Sequence, residues 1–146
     1  MAAILAYVAQ LAMYGHHLVT EWIDLALYNH VRGVTLGQHV ASTIVAGLPA
    51  ATGTIALATG LRWLAIVSTI AWGVLLLTEV LNWWVPYLFA RYPWEVNPDS
   101  YAKWGLDKTH KLLPPFRGHP VVPDTQHLIV MLLTTAAFAT MLWVVV

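Results

Sequence analysis

The sequence contains no cysteine, and few of its residues carry a charge. Charged residues make up 10% of the 146-residue chain, and seven basic side chains balance seven acidic ones. The absence of cysteine excludes disulfides, thiolate catalysis, thiolate metal sites and covalent haem attachment. A formal net charge of zero provides no basic field that would attract nucleic acid. We therefore expect neither thiol chemistry nor nucleic-acid binding.

The chain also lacks the short motifs of nucleotide and covalent chemistry. It contains no Gly-rich phosphate loop, no Walker motif, no nucleophile elbow and no H-E-x-x-H helix. No internal repeat or low-complexity tract is visible either. The class of any reaction must therefore be inferred from individual polar residues.

Apolar residues are abundant, at 59% of the chain, and the mean hydropathy is +0.66. A transmembrane helix needs about 20 mainly apolar residues to cross roughly 30 Å of hydrocarbon. Four stretches meet this requirement, at about 2–28, 37–61, 63–90 and 124–146. Backbone polar groups in lipid must be satisfied within each span, which predicts helices. The predicted fold is all-α: an integral membrane four-helix bundle with up-down topology, forming a single transmembrane domain over residues 1–146.

The connections between the spans differ in length. Residues 29–36 and 60–62 make short connections, whereas residues 91–123 make a 33-residue loop between helices 3 and 4 that is rich in proline and aromatic residues. We expect this loop to fold onto the membrane surface. The N-terminal residues lack a basic region and a cleavage site, so we expect them to be retained.

The basic residues are distributed unequally between the two ends of the predicted bundle. Arg62 alone lies in the connection between helices 2 and 3. The other six lie in the two remaining connections, and they are Arg32, Arg91, Lys103, Lys108, Lys111 and Arg117. The positive-inside rule then predicts a cell-membrane protein with both termini outside and the 33-residue loop in the cytoplasm.

Polar residues within the spans are predicted to converge in the cytoplasmic half of the bundle. Spacings of three and four residues place one set on a single face of helix 1, namely Gln10, Tyr14, His17, Glu21, Asp24 and Tyr28. The ends of the other spans on that side also carry polar residues. The predicted site contains Glu79, Glu21 and His17 as acid–base groups, and Asp24, Asn82, Trp83, Tyr87, Tyr14 and His39 as ligand-binding residues.

Glu79 is the ionisable residue placed deepest in a span, because it follows sixteen uncharged residues at 63–78. Such a group costs roughly 2.5–3.5 kcal/mol on insertion scales and normally faces the bundle interior. We expect Glu79 to lie within direct or one-water hydrogen-bonding reach of Glu21 or of one histidine among His17, His39 and His127. A buried carboxyl beside a histidine suits proton transfer near neutral pH.

Several of these residues also have a purely structural interpretation. Asp124 lies where the N-cap of the fourth helix is expected, which would place His127 at the third helical position. Trp22 and Trp83 fit an aromatic belt at the membrane surface. Polar residues also hold membrane helices together without any further function. Small residues in the second span, among them Gly47 and Gly53, predict close helix contact.

Three classes of function remain open, and the sequence does not decide whether the protein is an enzyme. The preferred one is a His/carboxylate pocket that binds or transforms a small lipophilic molecule by acid–base chemistry. The second is a transition-metal or haem b site, although the sequence requires no cofactor. The third is a non-catalytic accessory subunit of a larger membrane complex, or a proton-coupled carrier, with homo-oligomers allowed. The metal ligands considered are Glu21, Glu79, His127 and His39.

Overall fold

The computed structural model describes residues 1–29 and 34–146, which form helices and connecting segments without a strand. Four long helices are apolar enough to cross a membrane, as expected of an integral membrane protein. A short helix, α4, occupies Pro98–Lys103 in the long connection. The four long helices are α1 (Ala2–Trp22), α2 (Leu36–Thr59), α3 (Arg62–Phe89) and α5 (Thr125–Val145).

The long helices form a ring around a shared interior, in which α1 and α3 each pack against both α2 and α5. Gln10 joins these helices at one level and is fully buried. Its Oε1 accepts hydrogen bonds from Trp72 Nε1 at 3.2 Å and from Ser68 Oγ at 3.5 Å, and its Nε2 lies 3.3 Å from Met141 Sδ. Such contacts hold membrane helices together where no hydrophobic force acts between them.

Glycines on α2 allow α1 and α3 to approach closely. A Cβ atom added at Gly53 would lie 2.0 Å from Gln10 Oε1 and 2.7 Å from Ser68 Oγ. At Gly47 the added atom would lie 3.0 Å from the hydroxyl of Tyr14. The close contact predicted at Gly47 and Gly53 is therefore confirmed.

The first helix ends at Trp22, so the prediction that it continues to about residue 28 was wrong. The chain turns instead, and the buried Asn29 satisfies backbone groups at the helix end. Its Nδ2 donates to the carbonyls of Thr20 and Ile23, and its Oδ1 accepts from the Leu25 N–H at 2.7 Å. A helix end leaves its last carbonyls without partners, and this side chain supplies two of the missing donors.

The third long helix changes its winding between Val80 and Trp84, where it forms a π-helical turn. The Val85 N–H donates to the Val80 carbonyl, five residues back. Pro86 has no N–H to donate to the preceding turn, and its ring crowds that turn, which accounts for a local widening. Because a π turn changes the angular spacing of side chains, the Asn82 side chain leaves the helix in a different direction from the one it would have in a regular α-helix.

The connection between α3 and α5 packs back onto the end of the ring. Val96, Tyr101, Leu106 and Val121 are buried in one cluster with Trp83 of α3. The Tyr101 hydroxyl also donates to a backbone carbonyl at residue 122, at 2.9 Å. We call residues 91–123 the cap, because they cover one end of the helical ring.

Candidate functional site

A cavity of about 400 Å³ lies beneath the cap, where α1 ends and where α2 and α5 begin. Its volume falls within the range of roughly 300–1,000 Å³ that is usual for small-molecule sites. The cap contributes Glu95, Val96, Trp104 and Leu106 to its wall. The long helices contribute polar side chains, and these are Thr20, Glu21, His39, Ser42, Asn82, Gln126 and His127. We call this space the polar cavity.

The first cluster on its wall joins α1 to α2 around Glu21. Glu21 Oε1 lies 2.6 Å from His39 Nδ1, and Oε2 accepts from Ser42 Oγ at 3.0 Å. His17 Nε2 lies 3.4 Å from Ser42 Oγ and 3.9 Å from Glu21 Oε2. Trp22 packs on the His39 ring at a centroid distance of 5.4 Å. The structure thus brings together Glu21, His17 and His39 among the predicted residues.

The second cluster lies at the start of α5, around Asp124. Asp124 is fully buried, and its Oδ1 accepts from the His127 N–H at 2.9 Å, which confirms the predicted N-cap. The same oxygen lies 2.7 Å from His127 Nδ1, and Oδ2 accepts from Thr109 Oγ1 of the cap at 2.8 Å. Trp83 packs on the His127 ring at a centroid distance of 3.8 Å. Trp83 is therefore buried and does not belong to a surface belt.

The carboxylate of the second cluster determines which nitrogen of the His127 ring carries a hydrogen. Burial alone would raise the pKa of the Asp124 carboxyl, but the charge and hydrogen bonds of His127 and the Thr109 hydroxyl hold that pKa below its usual value. An ionised carboxylate only accepts hydrogen bonds, so His127 donates through Nδ1–H. When the ring is neutral, Nε2 is then the basic atom. The His39 ring is bound to Glu21 through the same nitrogen.

Glu79 does not line the polar cavity but a separate space of about 180 Å³, which we call the inner chamber. Its Oε1 accepts from Thr134 Oγ1 of α5 at 2.8 Å, while Oε2 is buried and has no hydrogen-bond partner among the described residues. The direct hydrogen bond expected from Glu21 or a histidine is therefore absent there, and Thr134 takes its place. His17 lies on the wall of the same chamber, so contact through one water stays a prediction.

Three residues predicted to bind a ligand do not line the polar cavity in the described part of the chain. Tyr14 packs against Gly47 and lines an apolar groove between α1 and α2. The Tyr87 hydroxyl donates to the Pro114 carbonyl at 3.0 Å, which ties the cap to α3. Asp24 lies in the turn after α1. The helix ends before that residue, so the regular spacing used to place it does not apply.

The residues considered as metal ligands lie in different places. Glu21 pairs with His39, His127 pairs with Asp124, and Glu79 faces the inner chamber. Within residues 1–29 and 34–146, no group of three or more His, Asp or Glu side chains is arranged to hold a metal ion. A single metal centre built from these side chains would therefore require them to move. Haem b ligation by the histidines stays a prediction.

Several residues of the site were missed by sequence reasoning. Ser42 had a signal, because it follows His39 by three residues and so shares its helix face. Thr134 follows His127 by seven residues, or two helical turns, on the same face. Trp104 had no comparable signal, since its position depends on how the cap folds.

Comparison of the chain with protein-family models, with curated proteins and with solved structures finds no match. The fold and the site therefore define the class, which is a helical membrane protein with a partly polar cavity at one end.

Proposed function

We propose that the polar cavity binds or transforms a small lipophilic molecule by acid–base chemistry, in a protein integral to the cell membrane. One observation carries this proposal: imidazoles from two helices line the same cavity, and each has its Nδ1 bound to a carboxylate. The pairs are Glu21–His39 and Asp124–His127. Paired groups of this kind, converging on one cavity, are typical of acid–base sites.

The chemistry follows from the connectivity of the two rings. A carboxylate on Nδ1 fixes the tautomer of a histidine and leaves Nε2 to accept a proton or, once protonated, to donate one. Trp22 and Trp83 pack on His39 and His127 and restrict their orientation. One imidazole can therefore remove a proton from a bound molecule while the other returns one at a second position. General acid–base groups contribute about 10²–10⁴-fold to a reaction rate.

The lipophilic character of the ligand is inferred from the composition of the wall. Val96, Trp104 and Leu106 present apolar surface from the cap, which also contributes Glu95, and they face the polar residues of the helices. A molecule with a polar head and an apolar body would satisfy both sides. The cavity also lies at one end of helices that are long and apolar enough to cross a membrane, which suits a membrane-soluble molecule.

We also propose an up-down arrangement with the polar cavity toward the cytoplasm. It is supported by Arg62 at the start of α3, whose Nη2 donates to the Val145 carbonyl near the end of α5, at 3.1 Å. Arg32 lies outside the described residues. Five basic residues lie in the cap, on the cavity side, and they are Arg91, Lys103, Lys108, Lys111 and Arg117. The positive-inside rule then favours a cytoplasmic cap and external termini.

The proposal is tested by extracting the protein from its membrane in polymer-bounded lipid discs and identifying the retained small molecules by mass spectrometry. We expect the wild type to retain one amphiphile, enriched over the surrounding lipid at about one per chain. His39→Gln and His127→Gln should both lose it, because each removes a titratable ring from the wall. His110→Gln is the matched control, since the exposed His110 lies in the cap and bonds to Thr125 outside the cavity.

Two results would contradict the proposal. One is a wild-type extract that contains only membrane lipids in their bulk proportions. The other is an enriched compound that persists unchanged in both cavity variants while their helical content remains normal. Recovery of a stoichiometric protein partner in place of any small molecule would instead favour the accessory-subunit function.

A further inference from the structure

Ser42 separates two spaces in the helical ring, because it lines both the polar cavity and the inner chamber. On one side its Oγ donates to Glu21 Oε2, at 3.0 Å. The same hydroxyl lies 3.4 Å from Nε2 of His17, and His17 also lines the inner chamber. The hydrogen-bonded cluster around Glu21 therefore extends from the polar cavity to the wall of the chamber.

Glu79 closes the far side of this chamber. Thr134 satisfies Oε1, but Oε2 is shielded from solvent and lacks a protein partner among the described residues. Buried polar atoms are nearly always hydrogen-bonded, so Oε2 needs a partner that the described residues do not supply. A space of about 180 Å³ exceeds the volume of several waters, at roughly 30 Å³ each in the liquid. The carboxyl group, His17 and Ser42 offer such waters the polar contacts that they need.

We propose that Glu79 is a proton-binding site at the inner end of a hydrated pathway, which runs from the polar cavity through Ser42 and His17 into the interior of the bundle. This inference deepens the proposed function. The inference depends on the proposed function in one respect, because a molecule bound in the polar cavity has to consume or supply the proton. The pathway itself is defined by the protein's own groups.

Each step moves a proton and leaves all electrons in place. A protonated Glu79 carboxyl group releases its proton to chamber water, which protonates the His17 imidazole. His17 then transfers a proton to the Glu21 carboxylate, so that Glu79 ends ionised and Glu21 neutral. The other titratable groups around this route are His39, bound to Glu21, the Asp124–His127 pair at the start of α5, His16 beside His17, and Glu95 on the cavity wall.

Thr134 holds the carboxyl group in place by donating to Oε1, and Oε2 is left without a partner among the described residues. A carboxyl group that served packing alone would be expected to have both oxygens satisfied by the protein. The one-sided arrangement at Glu79 is what a group that exchanges protons with water requires.

The test is infrared spectroscopy of the protein in lipid vesicles, with the Glu79 carboxyl band assigned from the difference between wild type and Glu79→Gln. Spectra are recorded between about pH 4 and pH 9, a range that covers ordinary and strongly raised carboxyl pKa values. After transfer from H₂O to D₂O, we expect the Glu79 band to shift rapidly in the wild type. Ser42→Val should slow that shift about tenfold, because losing one relay hydrogen bond raises the barrier by about 1.4 kcal/mol.

Two further variants keep the test decisive. His17→Phe removes the imidazole and should slow the exchange in the same way, even where Ser42→Val fails to fold. Thr52→Val is the control on α2, because the Thr52 hydroxyl bonds only to its own helix, at the Leu48 and Pro49 carbonyls. Thr52→Val should therefore exchange like the wild type.

The pathway is overturned if the Glu79 band is absent throughout the pH range or fails to exchange in the wild type. It is equally overturned if both Ser42→Val and His17→Phe exchange at the wild-type rate. None of these measurements needs the bound molecule, so failure of the pathway is distinguished from failure of the proposed function. If the wild type retains no amphiphile but the Glu79 proton exchanges at the expected rate, the ligand site is refuted and the pathway is supported.

Discussion

Replacing Gly53 by alanine perturbs the buried polar contacts at the level of Gln10. The new methyl group would lie 2.0 Å from Gln10 Oε1, so the amide has to move. Gln10 is fully buried and is held by Trp72 and Met141, which leaves it little room. Displacing it would leave the Trp72 indole N–H without its acceptor. Ser68 would keep a partner, because its hydroxyl also donates to a backbone carbonyl at residue 49, at 2.8 Å.

The expected magnitude combines two opposing effects. A buried donor left without an acceptor costs about 1–3 kcal/mol. Alanine in place of a helical glycine contributes about 0.5–1 kcal/mol of stability. We therefore expect Gly53→Ala to destabilise the fold by roughly 0–2.5 kcal/mol, with about 1 kcal/mol as the central value. Gly15→Ala is the matched control, since no heavy atom lies within 4 Å of its added Cβ. That variant should be about 0.5–1 kcal/mol more stable than the wild type.

The assay is reversible unfolding in mixed micelles of dodecylsulfate and a mild detergent, followed by circular dichroism. The two alanine variants should differ in sign. In a Gln10→Leu background, the free-energy cost of Gly53→Ala should differ clearly from its cost in the wild type. Gly53 and Gln10 are in direct contact, so the effects of the two substitutions are not additive. The packing explanation would be refuted if Gly53→Ala were as stabilising as Gly15→Ala.

Three further predictions concern other parts of the molecule. Thr134→Ala should lower the free energy of unfolding by about 1 kcal/mol, because it removes the hydrogen bond to the Glu79 carboxyl group. Thr135→Ala should stay within about 0.5 kcal/mol of the wild type, because the Thr135 hydroxyl bonds to its own helix. The pKa of Asp124 is lower in the folded state than in the unfolded chain. Its contribution to the free energy of unfolding should therefore be constant above about pH 5 and disappear as the pH falls below about 4. A denaturation series against Asp124→Asn checks this, and an equal difference at pH 3 and pH 7 would contradict it. Because the chain has no cysteine, Val146→Cys and Ala102→Cys can be labelled individually in intact cells with an impermeant maleimide. Only Val146→Cys should react from outside, and the reverse pattern would refute the proposed orientation.

The features that sequence predicted well depend on local periodicity. Four apolar stretches predicted four long helices, and the proline before Asp124 helped to place the N-cap of α5. Spacing along α1 placed His17 and Glu21 on one face, where they meet α2. The end of α1 was predicted six residues too late, because hydropathy does not register the side chain of Asn29 that satisfies its last carbonyls.

The features that sequence could not predict depend on how the helices are rotated and shifted against each other. Glu79 was expected within direct or one-water reach of Glu21 or a histidine, and its direct hydrogen bond among the described residues comes from Thr134. The division into a polar cavity and an inner chamber follows from the position of Ser42 between them. The wall that Trp104 supplies depends on the tertiary fold of the cap, to which no periodic pattern applies.

The central claim is that a small lipophilic molecule occupies the polar cavity, and site-specific photocrosslinking tests it most directly. A benzophenone amino acid replaces either Trp104, on the cavity wall, or Trp143, which is exposed near the end of α5. Each protein is then irradiated in its native membrane. We predict that the Trp104 position captures one adduct of discrete mass, which disappears in Glu21→Gln, while the Trp143 position captures only bulk lipids. The same distribution of lipid adducts at both positions, unchanged by Glu21→Gln, would contradict the account.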